Sequence, residues 1–250
     1  MPMHDCLVAI CAGTAQIAEH SGEIAFANFS ACSVALLRNG VEMSLFISME
    51  GPDGSGKTLQ MDLLEKALAE RGLSVLRSRE PGGTVIGEKI RDVILDPSGK
   101  EMDPVTEAYL YAASRAQHVA EKIRPALEAG KVVLLDRFVD SSLVYQGIGR
   151  GLGIDYVWEL NRFAIGGLLP DVTFMVYIDY EEGLRRKRLQ TGHTLDRLEQ
   201  EKEAFHRQVN EGYLELARRF PERIRLIDGA RDVETVHKDI WQQTLALLER

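Results

Sequence analysis

Residues 51–58 read Gly51-Pro52-Asp53-Gly54-Ser55-Gly56-Lys57-Thr58, a complete match to the pattern G-x-x-x-x-G-K-[ST]. Such an octapeptide works only where a strand gives way to a helix, so it constrains the fold more than any other part of the chain. The run before it, Leu45-Phe46-Ile47-Ser48-Met49-Glu50, suits a buried strand, and after it Leu59, Leu63, Leu64, Ala67 and Leu68 recur at helical spacing. Glycines let successive backbone N–H groups converge on phosphate oxygens, and the helix N-terminus adds partial positive charge. Lys57 is placed to reach the terminal phosphates and the Thr58 hydroxyl to meet Mg²⁺. All eight residues, Gly51 to Thr58, are expected to cradle a nucleotide triphosphate. A ligand-free glycine-rich turn would need neither the lysine nor the hydroxyl.

The chain has 250 residues and a formal charge of -8, with pI near 5.4. That acidity argues against a dedicated nucleic-acid binder, which would show a basic stripe. No apolar stretch reaches the length needed to span a bilayer, so a cytoplasmic protein is expected. Cys6, Cys11 and Cys32 match no common zinc spacing and read as free thiols in a reducing compartment.

Residues 1–42 differ from the rest. They are rich in Ala, Ser, Cys and Gly, and carry Asp5, Glu19, Glu23 and Glu42 against Arg38 alone. Neither a positive secretory n-region nor an Arg-rich, acid-poor transit segment is present. Met43 directly precedes the first strand, and the reading adopted is a start-site error upstream of Met43, a genuine extension being the alternative. Residues 43–250 form the expected single domain.

Within that domain strands are expected at 45–50, 73–78, 131–136, 172–178 and 223–228, with helices between them, a long one over 104–129 and a terminal one from Val233. This alternation implies an α/β fold whose mostly parallel sheet is covered on both faces. Ligands in such folds bind beyond the carboxyl ends of strands, where Asp53, Arg79 and Asp136 fall.

Arg79 precedes the tight turn Glu80-Pro81-Gly82-Gly83-Thr84, which gives its planar fork a defined direction toward an anion. Leu134-Leu135-Asp136-Arg137 ends the third strand in an acid suited to neighbour Mg²⁺, directly or through water, and a further cation for a phosphoryl group. Tyr111 and Arg115 are four apart on one helix face, as are Ser142 and Gln146. Tyr111 and Arg115 fit a base contact, but taken alone read more readily as a core tyrosine and a carboxylate-paired arginine; Gln146 fits a pyrimidine edge, but taken alone reads more readily as a solvated loop amide. The segment 184–197 holds Arg185, Arg186, Lys187, Arg188 and Arg197 against one acid, Asp196. It reads either as a lid over a triphosphate or as a solvated helix end. His193 within it is expected to face solvent.

Taken together, Gly51 to Thr58, Arg79-Glu80-Pro81-Gly82-Gly83-Thr84, Tyr111-Ala112-Ala113-Ser114-Arg115, Asp136-Arg137-Phe138 with Ser142 and Gln146, and the lid arginines resemble the thymidylate kinase family over nearly all of residues 43–250. The resemblance implies a phosphate-loop kinase fold, with a five-stranded parallel sheet of order 2-3-1-4-5 and a short lid, a cis bond before Pro81, and a homodimer. It also implies γ-phosphoryl transfer from ATP to dTMP with Mg²⁺, giving dTDP and ADP on the route to dTTP. Asp53 would position the acceptor near its sugar hydroxyl, and Arg79, Arg91 and Arg137 would hold the dTMP phosphate or the transferring group. Tyr111, where the family usually has Phe, would stack on thymine; Arg115 and Gln146 would read its edge, with Ser142 packing nearby. Thr58 and Asp136 would face the metal. Since the loop carries Asp53-Gly54-Ser55 and no arginine, this chain resembles the bacterial, lid-arginine type. Arg197, with Arg188 behind it, is then expected to join Lys57 and Arg137 as a catalytic cation.

A GTPase is the principal non-kinase alternative, because Asp96-Pro97-Ser98-Gly99 matches D-x-x-G; N-K-x-D is missing, however, and Asp96 ends a helical run. A catalytically dead binding module would have lost Lys57, Thr58 or Asp136, and none is lost. Another nucleoside monophosphate kinase or a deoxynucleoside kinase is the nearest rival.

Overall fold

The computed structural model describes residues 44–188 and 196–249. The reading of the 1–42 leader and that of His193 lie outside these residues. Five parallel strands, β1 (Leu45–Glu50), β2 (Val75–Arg79), β3 (Val132–Asp136), β4 (Val172–Tyr177) and β5 (Ile224–Asp228), form one sheet of order β2-β3-β1-β4-β5. This is the order the family resemblance implies. Central β1 is buried along its whole length, and Ile47 lies opposite Leu134 on one side and Val172 on the other. Strands covered on both faces have no solvent side, which is why β1, β3 and β4 read as unbroken apolar runs.

Helix α1 (Lys57–Glu70) packs Met61, Leu64 and Leu68 onto one face of the sheet, beside Ile240 and Leu248 of the terminal helix α9 (Val233–Leu248). Burying each such leucine contributes about 1.5–3 kcal/mol. The other face takes α3 (Pro104–His118), α6 (Ile154–Ile165) and α8 (Glu203–Arg219), while α2 (Val85–Leu95) packs along α3.

The expected long helix over 104–129 is continuous in path but not in type. It passes from α3 through a π-helical stretch, Val119–Ile123, into α4 (Arg124–Glu128). Pro125 has no N–H to donate, and widening the turn ahead of it accommodates the missing bond. A second wide stretch, Leu143–Gly149, follows α5 (Val139–Ser142) and carries Gln146. Helix α7 (Tyr180–Arg188) follows β4, so the first part of the segment expected as a lid, 184–188, is the end of a helix. Asp96-Pro97-Ser98-Gly99 is an exposed turn closing α2, where the Ser98 N–H donates to Asp96 Oδ1 at 2.8 Å. No helix among the described residues is long and apolar enough to cross a membrane.

Candidate active site

The phosphate loop forms because its glycines occupy backbone conformations closed to other residues. Gly51 sits at φ 136°, where a Cβ would lie 2.0 Å from the Val176 carbonyl oxygen. The loop is thus pressed against β4 by a glycine that nothing else can replace. Lys57, at the first helical position, folds back and donates from Nζ to the carbonyls of Gly51 and Pro52, each at 2.9 Å. Burial, with Arg137 close by, pushes its ammonium down to about 8.

A cavity of about 730 Å³ opens beyond the carboxyl ends of the strands. Asp53, Gly54, Ser55, Gly56, Lys57 and Thr58 of the loop line it together with Arg79, Arg91, Tyr111, Arg115, Asp136, Arg137 and Gln146. One space therefore holds most of the residues picked out from the sequence. Gly51 and Pro52 support it from behind through the Lys57 bonds.

Arg79 and Arg91 converge on one atom, the Pro81 carbonyl oxygen, each donating at 2.9 Å, beside the cis Glu80–Pro81 bond. Burial and the Arg79 charge lower the pKa of Arg91, so an incoming dianion would relieve a crowded pair of cations. Arg137 sits at φ 68°, the left-handed region that costs an ordinary residue about 1–2 kcal/mol. Its guanidinium repays this by donating to Gly51 O at 3.1 Å, Tyr213 Oη at 2.6 Å and Asp53 Oδ1 at 2.7 Å, while lying over the Tyr145 ring. Although desolvation alone would raise it, Arg137, Lys57 and Lys187 draw the Asp53 carboxyl to about 2.

Arg115 is the carboxylate-paired core arginine, joined to Glu80. Fully buried, it donates from Nε to Glu80 Oε2 at 2.7 Å, from Nη1 to Ser142 Oγ at 2.9 Å and also to Asn161, and from Nη2 to the Phe138 carbonyl at 3.0 Å. One Nη2 hydrogen is left for a ligand. Ser142 is spent on Arg115 rather than on the cavity. Gln146 is buried, not solvated: Nε2 donates to Glu107 Oε1 at 2.8 Å, and Oε1 has no partner. Tyr111 has its hydroxyl held neutral by burial and the nearby Glu107 carboxylate.

The two lid arginines nominated from sequence are not at the cavity. Arg197 is buried, its Nε donating to the Ile94 carbonyl at 2.7 Å and its Nη2 to Glu107 Oε2 at 2.7 Å. The cause is Glu107, a carboxylate with no exposed surface that requires cationic partners. Arg188 is exposed at the end of α7 and lines an adjoining space of about 370 Å³ that shares Asp53 and Lys187 with the main cavity. Arg186 and Lys187 line the main cavity instead. Arg186 donates to Gly229 O at 3.1 Å, and Lys187 lies 2.7 Å from Glu199 and 3.7 Å from Asp53. In a row of four consecutive cations, sequence alone had no means of telling which faced inward.

Glu50, Glu80, Glu107, Tyr145 and Tyr213 were not picked out. Glu107 carried a usable signal, lying one helical turn before Tyr111 on the face that leads to Arg115. Glu50 is buried at the end of β1, accepting from the Phe138 N–H at 2.7 Å and from Ser141 Oγ at 2.6 Å. Burial and the Asp140 carboxylate raise its pKa to about 7.

Sheet order, loop position and a cavity at the strand ends are those of the phosphate-loop kinases. The thymidylate kinase family model matches residues 49–240. A Bacillus licheniformis thymidylate kinase is 54% identical over 196 residues, covering 78% of this chain and 92% of its own. One from Symbiobacterium thermophilum is 49% identical over 208 residues, covering 83% and 96%. The crystal structure of thymidylate kinase from Ehrlichia chaffeensis superposes with a TM-score of 0.65 at 31% identity, over 81% of this chain and 99% of that one. The chain belongs to the thymidylate kinase family.

Proposed function

We propose that this protein is a cytoplasmic kinase that transfers the γ-phosphoryl group of ATP to the 5′-phosphate of dTMP, giving dTDP and ADP on the route to dTTP. The observation that carries the choice of acceptor is the unpartnered Oε1 of Gln146 on a residue of the cavity wall. Thymine offers N3–H to such an acceptor, whereas cytosine presents a lone pair there. Tyr111 and Asp53 line the same cavity, the stacking role falling to Tyr111 and the sugar hydroxyl to Asp53.

Two anions must approach in line, so the chain's cations set the reaction geometry. Loop N–H groups and Lys57 hold the donor phosphates, Arg79 and Arg91 hold the acceptor phosphate, and Arg137 stands between. Lys57 is well suited to release its own loop carbonyls when phosphates arrive. On the lid side Arg186 and Lys187 supply the charge first assigned to Arg188 and Arg197.

The donor set fits Mg²⁺. Asp136 Oδ1 is buried without a partner, the Thr58 hydroxyl stands in the same cavity, and both are hard oxygen ligands. When bound there, the ion neutralises developing charge on the phosphoryl oxygens.

We further infer that two copies associate. Val93 of α2, Tyr109 of α3, and Tyr156 and Phe163 of α6 are exposed on helices that pack side by side, and Phe163 is 91% exposed. The occupant that best suits this apolar surface is its own symmetry mate.

The test is an acceptor panel with ATP and Mg²⁺ in a coupled ADP assay. dTMP should be phosphorylated far faster than dCMP, AMP, GMP or free thymidine; preference for any of those would sink the assignment.

A further inference from the structure

Glu107 is a carboxylate with no accessible surface, yet no element of phosphoryl transfer requires it. Its two oxygens are fully engaged. Oε1 accepts from Gln146 Nε2 at 2.8 Å and from Arg150 Nε at 3.2 Å; Oε2 accepts from Arg150 Nη2 at 3.0 Å and Arg197 Nη2 at 2.7 Å. Burial works against its charge, but the bonds from Arg150, Gln146 and Arg197 prevail and hold it ionised.

An ionised carboxylate accepts hydrogen bonds and cannot donate them. A side-chain amide, by contrast, can rotate by half a turn and exchange its donor for its acceptor at almost no steric cost. Beside Glu107 only one orientation of Gln146 makes a bond, with Nε2 toward the carboxylate and Oε1 away from it. That is the orientation observed, and it leaves Oε1 as the unpaired atom.

We propose that Glu107 is a specificity-determining positioning residue: by fixing which end of the Gln146 amide meets the base, it makes the site select an N3–H donor and reject an N3 acceptor. The proposal rests on the dTMP kinase reading above. Arg150 and Arg197 serve the same purpose at one remove, since without their two charges the buried carboxyl would take up a proton and could donate. The selectivity element is thus an acid on α3 acting through Gln146.

Glu107→Gln separates this role from a merely structural one. A glutamine there presents both a donor and an acceptor, so Gln146 is free to turn its NH₂ toward the base and meet the N3 of cytosine. kcat/KM for dTMP and for dCMP should be measured on wild type and variant, with melting temperature recorded for each. The expected result is a fall of about tenfold or more in the dTMP:dCMP ratio, with KM for ATP little changed. A structural role alone would lower both acceptors together and leave the ratio as it was. If Glu107→Gln folds and keeps the wild-type ratio, the proposal is wrong. If it does not fold, Glu107→Asp decides: it keeps the charge for Arg150 and Arg197 but withdraws the oxygens from Gln146, and an unchanged ratio there overturns the proposal equally. A wild-type protein with no preference for dTMP would instead overturn the functional reading on which the proposal stands.

Discussion

Arg137 donates from Nη2 to Asp53 Oδ1 at 2.7 Å, joining the end of β3 to the interior of the phosphate loop. Each residue comes from a separate motif, and their meeting places one cation where the two motifs join at the cavity. Tyr213 and the Gly51 carbonyl hold the same guanidinium, so its direction is fixed before any ligand binds.

Arg137→Ala should therefore lower kcat/KM for dTMP by about 10²–10³-fold, the usual cost of removing one preorganised donor at a developing charge. Because a φ of 68° is strained for arginine as for alanine, folding stability should change little from that source. Steady-state kinetics beside a thermal melt checks both statements, and a kinetic loss below tenfold would remove Arg137 from the reacting centre.

Arg197 and Arg186 should separate stability from catalysis. Arg197→Met leaves Glu107 buried with one partner fewer, and breaking such a pair costs about 3–5 kcal/mol, which lowers the melting temperature by many degrees. Arg186→Met gives up partners at the edge of the cavity, Glu182 and the Gly229 carbonyl, and should lower kcat with a nearly unchanged melt. The reverse pattern would restore Arg197 to the catalytic role its sequence neighbours suggested.

Glu50 gives stability a pH dependence of definite sign. Burial and Asp140 raise its pKa to about 7 against Arg137 and the Ser141 and Phe138 bonds, while Arg223 offsets Asp140 at 2.7 Å. An acid raised above its unfolded value binds its proton more tightly in the native state. Its contribution is complete below the unfolded value of 4.5 and is lost as pH rises through about 7. Chemical denaturation between pH 5 and 8 should show this decline in the wild type and a flatter profile in Glu50→Gln; parallel profiles would contradict it.

How far the sequence could be read follows from the range over which each interaction acts. The phosphate loop and the apolar strands are local patterns, so β1, β3 and β4 and the sheet's parallel character were visible in single segments. Bounds slipped where local signals were weak, as in β2, expected at 73–78 and found at Val75–Arg79. The placement of Lys57, Arg79 and Asp136 at one cavity was legible because a helix start or a strand end dictates where they go. Residues defined by partners far along the chain were not. Arg197 depends on Glu107, ninety positions away, and no spacing rule joins them. Arg115 was legible only as an alternative, since its pairing with Glu80 crosses thirty-five residues.

The apolar surface of α2, α3 and α6 leads to the last expectation. Phe163 is 91% exposed and Tyr109 54%, on helices whose other faces are already committed to the core. Leaving such side chains in water forfeits about 25 cal/mol for every Å² of apolar area that a partner would cover. A stable interface covers about 1,600 Å² in total, which three neighbouring helices can supply. Wild-type protein should accordingly sediment as a dimer. Phe163→Arg sets two like charges near one another across a two-fold axis and should shift it to monomer, with the far-UV circular dichroism unchanged because the residue makes no part of the core. A wild type that sediments as a monomer, or a variant that remains dimeric, would show that this face is not the one that associates.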